Sequence, residues 1–315
     1  MHDPNPLQPP AGPDELARAL GAVGYLPSRP LSVALYLALE LGRPLLLEGP
    51  AGVGKTELAR AGAQALGREL IRLQCYEGLD ESRALFAWDY PKQILFTQLL
   101  REAVAGELAG ARGLAEAADR LGDGASVFYG ERFLVPRPIL RALRSEAPSL
   151  LLVDEVDRAD PEFEAFLLEV LADYQVTIPE LGTVRARHAP LVVLTSNGAR
   201  DMSDALRRRC LHAFVDYPEP SRELAILRRR LPGLDEALAS ALVAFVQRLR
   251  ALDLRKAPSV GETLDWARAL ATLGARHLDP ALVADTLGAL VKFEEDRAKV
   301  EGKLTKLLEG PPKGA

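Results

Sequence analysis

The chain has 315 residues, of which 48% are hydrophobic and 26% charged, with a formal net charge of −5 at pH 7. That length allows one large domain or two ordinary ones around a sizeable core, and the composition excludes a disordered chain. The acidic balance offers no bulk attraction to nucleic acid or to an anionic membrane surface, and no apolar run reaches the length of a membrane span.

Two cysteines, Cys75 and Cys210, have no metal-ligand spacing and point to a reduced compartment. His2, His188, His212 and His277 are scattered, so no protein-bound transition metal is expected. Residues 1–13 are proline-rich without an apolar stretch, which reads as a tail rather than a signal peptide and predicts a cytoplasmic protein.

Ser28 is a good N-cap, Pro30 is tolerated in a first turn, and Gly42 is placed as a stop. The segment between them is apolar almost all round, which predicts a buried helix. Just ahead of it, Tyr25-Leu26 pairs an aromatic with an aliphatic residue, which suits an adenine wall and equally suits ordinary packing.

The run Leu45-Leu46-Leu47 then leads into Gly49-Pro50-Ala51-Gly52-Val53-Gly54-Lys55-Thr56, followed by the helix-forming Glu57-Leu58-Ala59-Arg60-Ala61. This fits the phosphate-binding loop G-x-x-x-x-G-K-[ST] in its required strand–loop–helix order. Loop N–H groups and the new helix N-terminus converge on phosphate oxygens, while Gly49, Gly52 and Gly54 permit close approach. Lys55 can reach the β- and γ-phosphates of ATP, and the Thr56 hydroxyl can ligate Mg²⁺. A glycine-rich turn with a solvated lysine is the competing reading, and the matched flanks argue against it.

A second strand is predicted over 70–75, then an aromatic cluster of Phe86, Trp88 and Tyr90 that suits core more than a partner-binding or pore-facing surface. A helix over 91–106 and an Ala/Gly-rich insertion at about 107–123 follow, then a short helix ending near Ser145. Leu150-Leu151-Leu152-Val153 runs into Asp154-Glu155, the Walker B arrangement. There Asp154 holds the Mg²⁺ shell and Glu155 polarises the attacking water. Asp160 and Pro161 open another helix, and 175–188 reads as a β-hairpin with little core, expected to protrude.

The strand 191–195 ends in Ser196-Asn197, and an Asn there can orient the water or form a turn. Arg207-Arg208-Arg209 suits a solvated helix end, a nucleic-acid phosphate contact, or a guanidinium offered to a neighbouring subunit's γ-phosphate. Residues 214–218 are predicted as a fifth strand. Beyond Ser221 only helices are expected, over 222–231, 236–253, 260–273 and 280–308, with a capping box at Ser259 and Glu262.

The whole implies an α/β fold, a P-loop αβα layer on a parallel five-stranded sheet over 14–218. An all-α lid over 219–308 and a tail over 309–315 complete it. P-loop, Asp-Glu, strand-ending Asn, arginines and helical lid in this order resemble the AAA+ ATPases, and the hairpin and interrupted second helix look like the MoxR branch. Leu73-Gln74-Cys75-Tyr76-Glu77-Gly78-Leu79-Asp80 and Ser203-Asp204-Ala205-Leu206-Arg207-Arg208-Arg209-Cys210 are similar to CoxD-type members.

That resemblance implies a hexameric ring with ATP at subunit boundaries, a client metalloenzyme such as a molybdenum hydroxylase, and a von Willebrand A-domain partner. By motif position Arg209 matches the arginine finger, with Arg208 second. Where the family has a sensor arginine after a proline this chain has Pro258-Ser259, leaving Arg255 or Lys256 as substitutes. A nucleic-acid motor or loader is the second reading, against which the acidic balance and missing recognition module count. A nucleotide-gated assembly module with little turnover is the third.

Overall fold

The computed structural model describes residues 10–99, 129–178 and 181–309. The insertion expected at about 107–123, most of the N-terminal tail and nearly all of the C-terminal one lie outside these residues, as does the second half of the helix expected over 91–106.

Five strands form the central sheet: β1 (Leu45–Glu48), β2 (Glu69–Gln74), β5 (Ser149–Asp154), β8 (Leu191–Ser196) and β9 (Leu211–Phe214), in the order β2-β5-β8-β1-β9. β2, β5 and β8 run parallel in continuous register, Leu73 beside Val153 and Val153 beside Leu194. At the far edge Leu211 N–H donates to the Pro44 carbonyl and Val215 N–H to that of Glu48, so β9 also runs with β1. All six residues of β5 and all six of β8 are buried, which is why residues 150–153 and 191–194 read as unbroken apolar runs.

Two small antiparallel pairs lie outside this sheet, β3 (Phe86–Trp88) with β4 (Leu134–Pro136) and β6 (Gln175–Ile178) with β7 (Gly182–Arg185). Helices α1 (Pro13–Ala22), α2 (Arg29–Leu41), α3 (Lys55–Ala65), α4 (Glu81–Leu85) and α5 (Tyr90–Leu99) fill the first third. α6 (Pro138–Leu143), α7 (Pro161–Asp173) and α8 (Asp204–Arg209) alternate with the later strands. The C-terminal part holds α9 (Pro220–Arg230), α10 (Glu236–Arg250), α11 (Val260–Thr272), α12 (Pro280–Thr286), α13 (Glu294–Glu301) and α14 (Leu304–Glu309).

The chain divides into two compact units, one from 37–46 and 67–212, the other from 1–36, 47–66 and 213–315. In the first, Leu151, Val153, Val192 and Leu194 pack with Ile139 and Leu143 of α6 and with Phe163, Leu167 and Val170 of α7. Burial of such side chains contributes about 1.5–3 kcal/mol each. Phe86 and Trp88 meet edge to face at 5.5 Å and pack on this core, whereas Tyr90 is exposed. The hairpin departs from the expectation of little core, because β6 buries Val176 and Ile178 while β7 stays open. In the second unit Trp266 and Phe245 centre a helical core with Leu242, Leu270, Val283 and Leu287. The Trp266 indole N–H donates to Thr286 Oγ1 at 2.8 Å.

Two of these expectations are corrected and one helix is added. The last strand is Leu211–Phe214 rather than 214–218, since Val215 makes the final ladder bond before Pro218. The helix expected over 280–308 is three short ones, interrupted by a 3₁₀ turn over Leu287–Ala289 and ended again at Gly302, glycines being poor helix formers. α1 was not foreseen; it starts where the expected tail ends and buries only Leu16 and Leu20 of a short amphipathic face.

Candidate nucleotide site

The phosphate loop has the form its sequence demands. Gly54 ends it in the left-handed region (φ 100°) and Lys55 starts α3. The buried Lys55 ammonium donates to the Gly49 and Pro50 carbonyls, both at 2.7 Å. Gly49 (φ 149°) passes so close to the chain leaving β9 that an added Cβ would lie 2.0 Å from the Val215 carbonyl oxygen. Gly52 (φ 74°) is similarly hemmed in by Ser259. Pro50, Ala51, Val53 and Thr56 complete the loop, and Glu57 in the first turn of α3 pairs with Arg230 at 2.5 Å.

Tyr25 is buried with its ring 3.7 Å from where a Gly54 Cβ would stand. Burial pushes its phenol up to about 12, outweighing the pull of Arg222, so it is neutral at any physiological pH. Leu26 is half-buried and its carbonyl accepts Arg222 Nη2 at 2.6 Å. Arg222 thus fixes the Tyr25-Leu26 turn, a role that the sequence pattern does not signal. Of the two substitute lid cations, Arg255 stacks over the Phe293 ring at 4.2 Å and Lys256 pairs with Glu262 at 3.0 Å.

The carboxylates gather at the ends of β5 and β8 in the other unit. Asp154 closes β5 and is buried; its Oδ1 accepts the Thr195 hydroxyl at 2.6 Å and its Oδ2 accepts Arg72 Nη2 at 2.6 Å. Glu155 stands in the left-handed region (φ 56°, ψ 50°), a conformation that costs a non-glycine residue about 1–2 kcal/mol. Its N–H donates to Thr195 Oγ1 at 2.9 Å, which helps hold that turn. Its carboxylate accepts Asn197 Nδ2 at 3.2 Å on Oε1. On Oε2 it accepts Gln74 Nε2 at 3.1 Å and is ion-paired with Arg158 Nε at 3.2 Å. Asn197 is fixed in turn, its N–H donating to Asp157 Oδ2 at 3.1 Å beside that of Ala199 at 2.8 Å. The buried Asp157 Oδ1 has no partner among the described residues.

Asp154, Glu155 and Asn197, all named from the sequence, are brought together at these strand ends. Thr195, Arg72, Gln74 and Asp157 escaped it. Gln74 and Asp154 lie side by side in the β2–β5 register, and only the strand order reveals that pairing. In the arginine trio, Arg209 is half-buried and donates from Nε to the Leu171 carbonyl at 3.1 Å, whereas Arg208 is exposed. Arg43 clamps the same segment from below, donating to the carbonyls of Arg208 and Arg209 at 2.8 and 3.0 Å.

Among the described residues no helix is long and apolar enough to cross a membrane. The AAA domain of the dynein-related subfamily matches residues 44–210, more than half of the chain. The chain is 26% identical over 299 residues to Protein NorQ of Paracoccus denitrificans (strain Pd 1222), covering 92% of this chain and 94% of that one. It is 27% identical over 247 residues to the gas vesicle ATPase GvpN of Ancylobacter aquaticus, covering 75% of this chain and 63% of GvpN, less than two thirds of its length. Among solved structures it is similar to the Thermotoga maritima RuvB Holliday junction branch migration motor. There the identity is 17%, the coverage 97% of this chain and 82% of that one, and the TM-score 0.46, and nothing further rests on that likeness. With its phosphate loop, its Asp-Glu strand end and this family match, the chain belongs to the AAA+ ATPases and is of the MoxR type.

Proposed function

We propose that this ATPase works as a cytoplasmic, ring-forming, chaperone-like machine whose turnover remodels a client protein or inserts its metal cofactor. The observation that supports hydrolysis best is the seat of Glu155. A carboxylate that accepts from Asn197 and Gln74 and is paired with Arg158 is held in one orientation, as a base for the attacking water must be.

In this reading Lys55 and the loop N–H groups take the phosphates of ATP, Glu155 draws the proton from the attacking water, and Asn197 aligns that water. Thr56 and Asp154 supply the hard oxygen donors that suit Mg²⁺, and Asp154 is already oriented by Thr195 and Arg72. The ion, when bound, neutralises phosphate charge. An arginine from a neighbouring subunit completes the site. Motif position favours Arg209, while its bond to Leu171 favours the exposed Arg208. Leu26 is the adenine wall, with the buried Tyr25 packed behind the loop.

A client of the molybdenum-hydroxylase class, and a von Willebrand A-domain partner, rest on the CoxD-like strings around Gln74 and Arg207. Turnover of purified wild type beside Glu155→Gln tests the ATPase mechanism. We expect nucleotide binding in both and a kcat at least about 10²-fold lower in the variant, the range for loss of a general base. Equal turnover refutes the role of Glu155.

A further inference from the structure

The phosphate loop is gripped from outside by the start of α11. Val260 N–H donates to the Gly52 carbonyl at 3.2 Å. Beside it Gly52 lies so close to Ser259 that an added Cβ would stand 2.3 Å from Ser259 Cβ. The gripping residues are themselves locked. In the capping box Glu262 N–H donates to Ser259 Oγ at 3.1 Å and Ser259 N–H to Glu262 Oε2 at 2.7 Å. Arg250 Nε donates to the Pro258 carbonyl at 2.8 Å, and Arg250 is paired at 2.7 Å with Glu223 inside the helical core, their side chains only 6% and 1% exposed.

A carbonyl and the N–H that follows it point opposite ways across a trans peptide. Anchoring the Gly52 carbonyl on Val260 therefore fixes the direction of the Val53 N–H, a donor of the kind a P-loop offers to phosphate. The bond also satisfies the first N–H of α11, which has no partner within its own helix.

We propose that Val260 is a positioning residue for the nucleotide. Its main-chain N–H holds the Gly52-Val53 peptide in the orientation that receives phosphate, so the helical lid and the loop answer the nucleotide together. Coupling of this sort is reciprocal, and phosphate that orders the loop also tightens the Val260 bond. The proposal rests on the reading of residues 49–56 as the phosphate seat of ATP.

Val260→Pro tests it with little collateral damage. Val260 is the first helical residue, where proline is tolerated, and Ser259 already has the extended backbone (φ −75°, ψ 165°) that a residue before proline adopts. Val260→Ala, which keeps the N–H, is the reference for the lost side chain. Titration with a fluorescent ADP, ATP kinetics and thermal midpoints are measured for both. We expect Val260→Pro to bind about three- to ten-fold more weakly than Val260→Ala, the range for one hydrogen bond. The loss should appear in KM rather than kcat, with the thermal midpoint lower by no more than one missing hydrogen bond accounts for. Equal affinities overturn the proposal, whereas a wild type that binds no nucleotide overturns the phosphate-seat reading beneath it. Should Val260→Pro fail to fold, hydrogen exchange of the wild type decides: the Val260 amide is expected to slow with saturating ADP, and an unchanged rate overturns the proposal.

Discussion

Thr195 is where one hydroxyl ties the Asp154 carboxylate to the main chain of Glu155. It donates to Asp154 and accepts the Glu155 N–H, so its loss leaves both groups short of a partner. An unsatisfied group of this kind costs about 1–3 kcal/mol. Thr195→Val, nearly the same shape, is expected to lower kcat by about ten-fold or more on that scale while moving the KM for ATP little. Thr195→Ser should restore the rate. Steady-state kinetics check both, and a Val variant as fast as wild type would show the hydroxyl to be dispensable. Asp154, Glu155 and Asn197 were legible in the sequence because each stands at or just past the end of an apolar strand, where a polar residue has the strand's carboxyl end to occupy. Thr195 was not, since a β-branched residue in a strand needs no special reason. Arg72 and Gln74 were hidden by distance along the chain, about eighty residues from the groups they bind.

Elements with their own end signals were read well, those that depend on neighbours less so. The capping box at the start of α11 was visible as Ser259 and Glu262 and is formed. β9 was misplaced by three residues, because an edge strand half in solvent lacks the apolar run that marks β5 and β8. The cap also carries a pH signature. Partial burial pushes the Glu262 carboxyl up, but the Ser259 hydrogen bonds and the Lys256 ammonium outweigh it and hold the group below the usual glutamate range. A depressed carboxyl contributes stability that is full above its unfolded value, about 4.3, and lost as pH falls through the folded one. The thermal midpoint of wild type should therefore exceed that of Glu262→Gln at pH 7, with the gap closing below about pH 4. A gap that persists in acid would assign the effect to packing instead.

On the scale of the whole molecule, the parallel sheet and the helical C-terminal part followed from the alternation of runs and caps, and the family match bears out the ATPase. In the proposed ring, motif position offers Arg209 to a neighbouring subunit, whereas exposure offers Arg208. Arg208 is exposed, while Arg209 is half-buried and holds the Leu171 carbonyl. Arg208→Ala is thus expected to lower kcat by about 10³-fold, the lower range for an arginine finger, with nucleotide affinity nearly kept. Arg209→Ala should instead lose about 1 kcal/mol of stability for the missing hydrogen bond. Turnover of each variant, with mass in solution with and without Mg-ATP, separates the two; the reverse pattern would return the role to Arg209. The left-handed backbone of Glu155 reaches further still. Glycine or asparagine would sit there at less strain, so a search for heat-tolerant variants made without an activity assay would drift toward replacing the residue proposed to activate the attacking water. On the proposed mechanism, the reaction is kept only by declining a more comfortable backbone at that position.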